Sequence, residues 1–281
     1  MKKITLLLRL FLLISCQNFG QLKMLGNLPG GLKEVSGNEI ILGSELIWMH
    51  EDGGNKSKLY AINSSGKIQK EIDIQSKNTD WEDLTSDDFG NLYIGNFGNN
   101  YSTRKHLKIL KIDKKYLDKK SAEVEEIEFE YENQYKFPPK KEELFFDAEA
   151  FFYFKNSLYI FTKSRVKDNY GKTFLYKISA TKGKHIAKLM GNFDNGKKID
   201  SWITSADISS DGKNVVLLSQ KNILIFTDFK GDNFLSGKVK KIKLNHKSQK
   251  EGICFKDDNT LIITDEESGN KGGFLYELKI N

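Results

Sequence analysis

The chain is poor in the residues that usually announce a chemistry. Its 281 residues include 2 cysteines, 3 prolines and 4 histidines. Cys16 and Cys254 cannot build a disulfide framework, and no Cys/His spacing fits a zinc site. Arginine is confined to Arg9, Arg104 and Arg165. The formal net charge of +6 is therefore spread over lysines in every segment. That pattern, with no recognised motif, speaks against a nucleic-acid partner. Lysines on exposed strands also discourage edge-to-edge pairing. Long apolar runs are missing too. The longest, Ile4 to Ile14, is interrupted by Arg9 and is too short to span a bilayer comfortably.

That run reads instead as a targeting segment over residues 1–20, with Lys2-Lys3 as its basic front. Leu13-Ile14-Ser15-Cys16 resembles a lipobox, which would make Cys16 the lipidated first residue of a mature lipoprotein. Ordinary signal-peptide cleavage near Gly20 is the alternative. Residues 21–281 are then long enough for one large domain with its own core. Cys254, in Ile253-Cys254-Phe255, reads as a small buried thiol.

What the chain does have is a recurring hairpin. Asp80–Asn100 runs out through Trp81-Glu82-Asp83-Leu84, turns on Ser, Asp and Gly, and returns through Asn91-Leu92-Tyr93-Ile94. The design recurs from Glu149, Asp207 and Glu251, with a looser copy from Glu34 to Trp48. Each hairpin is followed by two more alternating segments, such as Leu107–Ile112 and Val124–Tyr131. After Phe274–Leu278 the chain ends one strand short, and Lys23–Leu28 is positioned to supply it. Four strands per unit and roughly 50 residues per repeat predict an all-β, single β-propeller of five four-stranded blades. Closure comes from the N-terminal strand; six blades is the runner-up.

Opposed residues in an antiparallel hairpin have numbers of constant sum. This sets Glu82 opposite Asn96, Glu149 opposite Lys163, Asp207 near Ser219-Gln220, and Glu251 opposite Asp265. Glu34, Glu82, Glu149, Asp207 and Glu251 would then converge at one mouth of the channel. Converging carboxylates must take up protons, meet cations or stay hydrated. A hard divalent ion, Ca²⁺ first, resolves the repulsion through oxygen ligands. The other reading is that the acids cap turns and backbone N–H groups. His50, Asn96, Arg104, Arg165 and Glu266 are the further mouth residues singled out for ligand binding.

The segments WEDLTSDDFGNLYIGN, DAEAFF, ITSADISSDGK, QKEGICF and LIITDEE resemble the SdiA-regulated family of bacterial propellers, distantly related to NHL-repeat proteins. The resemblance covers nearly all of the mature chain. It implies a five-bladed propeller with a bound calcium ion and no assigned enzymatic activity. Carried onto this chain, it points to the blade-start acids together with Asp265. The blade starts are also similar to those of calcium-dependent lactonase and phytase-like esterase propellers. The expectation is an exported, lipid-anchored, monomeric module of the cell envelope or outer membrane, or else periplasmic or secreted. It binds Ca²⁺ and a small molecule or an envelope protein. A calcium-dependent hydrolase is the alternative.

Overall fold

The structure is a computed structural model that describes residues 19–269 and 271–280. The leader and Cys16 lie outside the described residues. The fold is all-β. After β1 (Lys23–Asn27), the first unit is β2 (Val35–Glu39), β3 (Ile47–Glu51), β4 (Lys58–Ile62) and β5 (Ile68–Ile74). The second is β6 (Leu84–Ser86), β7 (Leu92–Asn96), β8 (Leu107–Ile112), the short β9 (Ser121–Ala122) and β10 (Glu125–Tyr131). The third is β11 (Asp147–Phe154), β12 (Ser157–Lys163), β13 (Lys172–Ser179) and β14 (Gly183–Asp194). The fourth is β15 (Ser205–Ile208), β16 (Val215–Leu218), β17 (Asn222–Thr227) and β18 (Lys238–Lys243). The fifth is β19 (Lys250–Asp257), β20 (Thr260–Asp265) and β21 (Phe274–Lys279). No helix among the described residues is long and apolar enough to cross a membrane.

Each unit is an antiparallel meander, and β1 pairs with β21 as the outer strand of the fifth sheet. The outer strands β10 and β14 pair in parallel, which joins the second and third units into one eight-stranded sheet. In the same way β9 extends the first sheet along β5.

The middle strands read as unbroken apolar runs because both of their faces are buried. In Val215-Val216-Leu217-Leu218, Val216 and Leu218 enter a core shared with Ile253, Ile263 and Tyr276. Val215 and Leu217 enter a different core, shared with Phe152, Tyr159 and Phe161. Alternation along the strand thus feeds two interfaces at once. Further cores lie between the second and third units around Phe97, Phe129 and Phe151, and between the first and second units around Trp48, Leu84 and Ile94. Cys254, Ile262 and Leu275 pack on Val35, Met49 and Tyr60, so the fifth sheet also meets the first. The inner strands follow suit: β2 lies against β6, β6 against β11, β11 against β15, β15 against β19, and β19 against β2. They surround a central channel.

Candidate functional site

At the mouth where the inner strands begin, the register differs from the constant-sum expectation. Asp147, not Glu149, lies opposite Lys163, and Lys250, not Glu251, lies opposite Asp265. A bulge interrupts each ladder, between Ala148 and Ala150 and between Lys250 and Gly252. Such a bulge re-aims the extra residue, and here it is the glutamate each time. Leu84 opposite Ile94 keeps the expected register in the second unit.

The mouth has two chemically distinct halves. In one, charges are matched. Glu149 receives Lys163 Nζ at 2.8 Å and Arg165 Nη2 at 3.3 Å, and Arg165 Nε binds Asp147 at 2.6 Å. The Lys163 and Arg165 cations also lie 5.0 Å from the ring of Trp202. Burial alone would lower the Lys163 ammonium, but Glu149 and Glu251 more than reverse that.

In the other half, charges are not matched. Asp52, Asp80 and Glu82 each place a carboxylate oxygen within 4.8 Å of the others. Asp52 Oδ1 accepts from the Gly53 amide at 2.5 Å. Among the described residues, neither the Asp80 nor the Glu82 carboxylate has a hydrogen-bond or ion-pair partner, although Glu82 is buried. Burial raises both carboxyls, helped at Glu82 by Glu149 and at Asp80 by Asp147. Burial also pushes Asp52 up to about 6, and Glu266 beside the cluster to about 7. Glu251 is pushed to about 8.

Two glycines open the space around these carboxylates. A Cβ on Gly98 would overlap the side-chain oxygens of Glu82 and Asp80, and one on Gly53 would overlap Asp80. Asn96 shapes the same loop: its Oδ1 accepts from the Thr79 and Asp80 amides at 3.2 and 3.1 Å. Arg104 donates to the carbonyls of Gly98 and Asn96. Asn96 and Arg104 therefore build the wall that presents Asp80, and Arg165 is committed to Asp147 and Glu149. Glu34 sits at the exposed rim, where Asn55 Nδ2 binds it at 2.6 Å.

Three expected mouth residues lie elsewhere. His50 is fully buried against Trp81, with its ring nitrogens 3.2 and 3.3 Å from the carbonyls of Glu51 and Asp83. Burial lowers it to about 4, and both ring nitrogens face backbone carbonyls instead of the mouth. Asp265 is buried and accepts from Tyr276 Oη at 2.7 Å and the Phe274 amide at 2.9 Å. Asp207 lies opposite Val216, toward the turn end of its hairpin and away from the mouth, instead of opposite Ser219-Gln220. The tighter turn at Asp211-Gly212 shortens this hairpin and shifts its sum.

Asp207 belongs to a device that the sequence reading missed. The channel-facing edges of the inner strands leave amides without ladder partners. Side chains of the preceding inner strand fill that role. Asp83 Oδ2 accepts from Phe151 N at 3.1 Å, and Thr85 Oγ1 from Tyr153 N at 3.2 Å. Two units on, Ser205 Oγ accepts from Ile253 N at 3.0 Å, and Asp207 Oδ2 from Phe255 N at 2.7 Å. Both pairs are two residues apart, so both members face the same side of the strand. Asp83 also reaches across the channel to Ala206 N at 3.2 Å and Ser205 Oγ at 2.9 Å.

At the turn end of the hairpins, where Glu39 and Asp207 line a common cleft, burial and Asp207 raise the Glu39 carboxyl well above its ordinary value. Burial pushes Asp207 to about 7. Both groups titrate near 4 when unfolded. The folded state therefore holds protons that the unfolded chain has released, and stability falls as pH rises from about 4 through 7. The expected result is a urea midpoint that drops between pH 5 and pH 8, with a smaller drop in Glu39→Gln. Equal drops in the two proteins would contradict the assignment.

No protein-family model matches the chain, and no curated protein matches it. Solved structures do. A PQQ-bound aldose sugar dehydrogenase from Streptomyces coelicolor aligns with a TM-score of 0.53 at 10% identity, over 92% of this chain and 98% of that one. A gluconolactonase from Xanthomonas campestris aligns with a TM-score of 0.44 at 12% identity, over 87% of this chain and 71% of that one. A virginiamycin B lyase from Staphylococcus aureus aligns with a TM-score of 0.42 at 13% identity, over 88% of this chain but only 66% of that one. Such low identities speak to fold alone. The fold is propeller-like.

Proposed function

We propose that this chain is a five-bladed β-propeller of the SdiA-regulated kind, closed by β1, that binds Ca²⁺ at its channel mouth through Asp52, Asp80 and Glu82. It presents that mouth to a ligand or an envelope protein. On this reading it is exported, and either lipidated at Cys16 or cleaved near Gly20. The observation that carries the metal reading is the largely buried Glu82, whose carboxylate opens on the mouth and, like that of Asp80, has no hydrogen-bond or ion-pair partner among the described residues. Three converging carboxylates drawn partly out of water repel one another, and a hard cation with oxygen ligands relieves that repulsion. The space beside Gly53 and Gly98 supports the fit. Glu149, Asp207 and Asp265 already have protein partners, which leaves Glu82 as the strongest of the blade-start acids.

Gly98→Ala tests this reading with little change in charge. Its Cβ would push apart Glu82 and Asp80, so calcium affinity should fall at least about tenfold (about 1.4 kcal/mol). Unchanged affinity in a calorimetric titration would remove Gly98, and with it this geometry, from the site.

A calcium-dependent hydrolase is the second reading. It is favoured by Glu251 and Glu266, whose carboxyls near 8 and 7 stand as proton donors beside the cluster. Turnover of model lactones or phosphate esters, lost in Glu82→Gln, would establish it. Silence across a broad panel would leave the binding module.

A further inference from the structure

Beside the acidic mouth, a cleft of about 920 Å³ lies along the fourth sheet and the 245–249 loop. Lys241 and Lys243 of the edge strand β18 line it, with Lys221, Lys247 and Lys271. Only Asp200 and Glu266 oppose them, and Asp200 already pairs with Lys221 at 3.5 Å. Lys241, Lys243, Lys247 and Lys271 have no ion-pair partner among the described residues. Many lysines elsewhere are paired, as in Lys108–Glu126 and Lys188–Glu132. Four unpaired ammonium groups around one concavity repel each other and attract a multiply charged anion.

The wall is also held in place. Lys250, fully buried, donates to the His246 carbonyl at 3.0 Å and to Ser248 Oγ at 2.9 Å. The His246 ring packs 5.3 Å from Phe19 and 5.6 Å from Tyr276. The lining contains no arginine. Lysine acts on an anion as a compact point charge with rotatable donors, and a cluster of such charges suits the high charge density of a phosphate or sulfate group.

We propose that this cleft binds a ligand carrying phosphate or sulfate ester groups, held by Lys241, Lys243, Lys247 and Lys271. The proposal rests on reading the chain as a ligand-binding module and names its ligand class; it does not need the calcium site. Glu266 lines the cleft on the side of the acidic mouth, so the cleft and the carboxylate cluster adjoin.

The test is calorimetric titration of the whole protein with inorganic pyrophosphate in EDTA. Binding is expected, weakening with salt and falling at least about tenfold in Lys241→Gln/Lys243→Gln. Those side chains are exposed, so the variant's thermal midpoint should match the parent's. Lys184→Gln, at an exposed lysine elsewhere, should bind as the parent does. Vesicles containing phosphatidic acid distinguish the source: displacement of pyrophosphate assigns the phosphate to a lipid headgroup, and no displacement to a soluble ester. No binding at millimolar pyrophosphate, or an equal loss in Lys184→Gln, overturns the proposal. So does binding that appears only with calcium and survives in the double variant, since the anion would then sit on the metal.

Discussion

Calcium restored to EDTA-treated protein should raise its unfolding midpoint, and Glu82→Gln should abolish the rise. An ion that binds only the folded state stabilises it by mass action, by about 2.7 kcal/mol at a hundredfold excess over Kd. For a domain of this size that corresponds to roughly 5–10 °C. The variant should also behave differently without calcium. Glu82 is buried with no hydrogen-bond partner among the described residues, and burial with Glu149 raises its carboxyl. Glu82→Gln removes that charge, so in EDTA the variant should be at least as stable as the parent. In calcium the order should reverse. A merely structural glutamate would give the opposite pattern, with the variant less stable in both conditions.

Asp83→Ala should be the most destabilising single substitution in the channel. Its carboxylate accepts from Leu84 N, Phe151 N, Ala206 N and Ser205 Oγ, joining three inner strands. Removing it leaves four buried donors without that acceptor, at about 1–3 kcal/mol each. Their sum rivals the whole stability of an ordinary domain, about 5–15 kcal/mol. Thr85→Ala frees only Tyr153 N and should cost far less; Asp207→Ala, which frees Phe255 N and Ile208 N, should fall between. Urea midpoints falling in that order would establish the inner-edge capping. An Asp83→Ala protein within about 0.5 kcal/mol of the parent would refute it.

These two residues are neighbours in the sequence, and they show what the sequence reveals and what it hides. The repeats were legible because each middle strand is buried on both faces, leaving apolar runs such as Leu158–Phe161 and Val215–Leu218 between Asp, Asn and Gly turns. Lys23–Asn27 pairs with β21, the strand beside which the alternation of the fifth unit left an open edge. The sorting of the acids was not. Glu149 and Glu251 reach the mouth through bulges, which a constant-sum register does not contain. Asp207 and Glu82 both begin a hairpin in the sequence, yet one caps an amide while the other's carboxylate has no partner among the described residues. The polar residues two apart in Asp83-Leu84-Thr85 and Ser205-Ala206-Asp207 were the available signal for edge capping. Asp52 escaped notice because it lies past the end of β3, in a different unit from Glu82, and Asp80, although it opens the Asp80–Asn100 hairpin, does not stand at the blade-start position shared by the other acids. His50 stood next to two acids in the sequence but turned inward with its strand.

The most direct measurement is isothermal titration of calcium into the metal-free protein, the parent beside the Asp80→Asn/Glu82→Gln double variant. A single ion bound per chain in the parent and none in the variant is the result expected of a mouth built from Asp52, Asp80 and Glu82. No binding in the parent at millimolar calcium, or the same stoichiometry and affinity in both proteins, would contradict it.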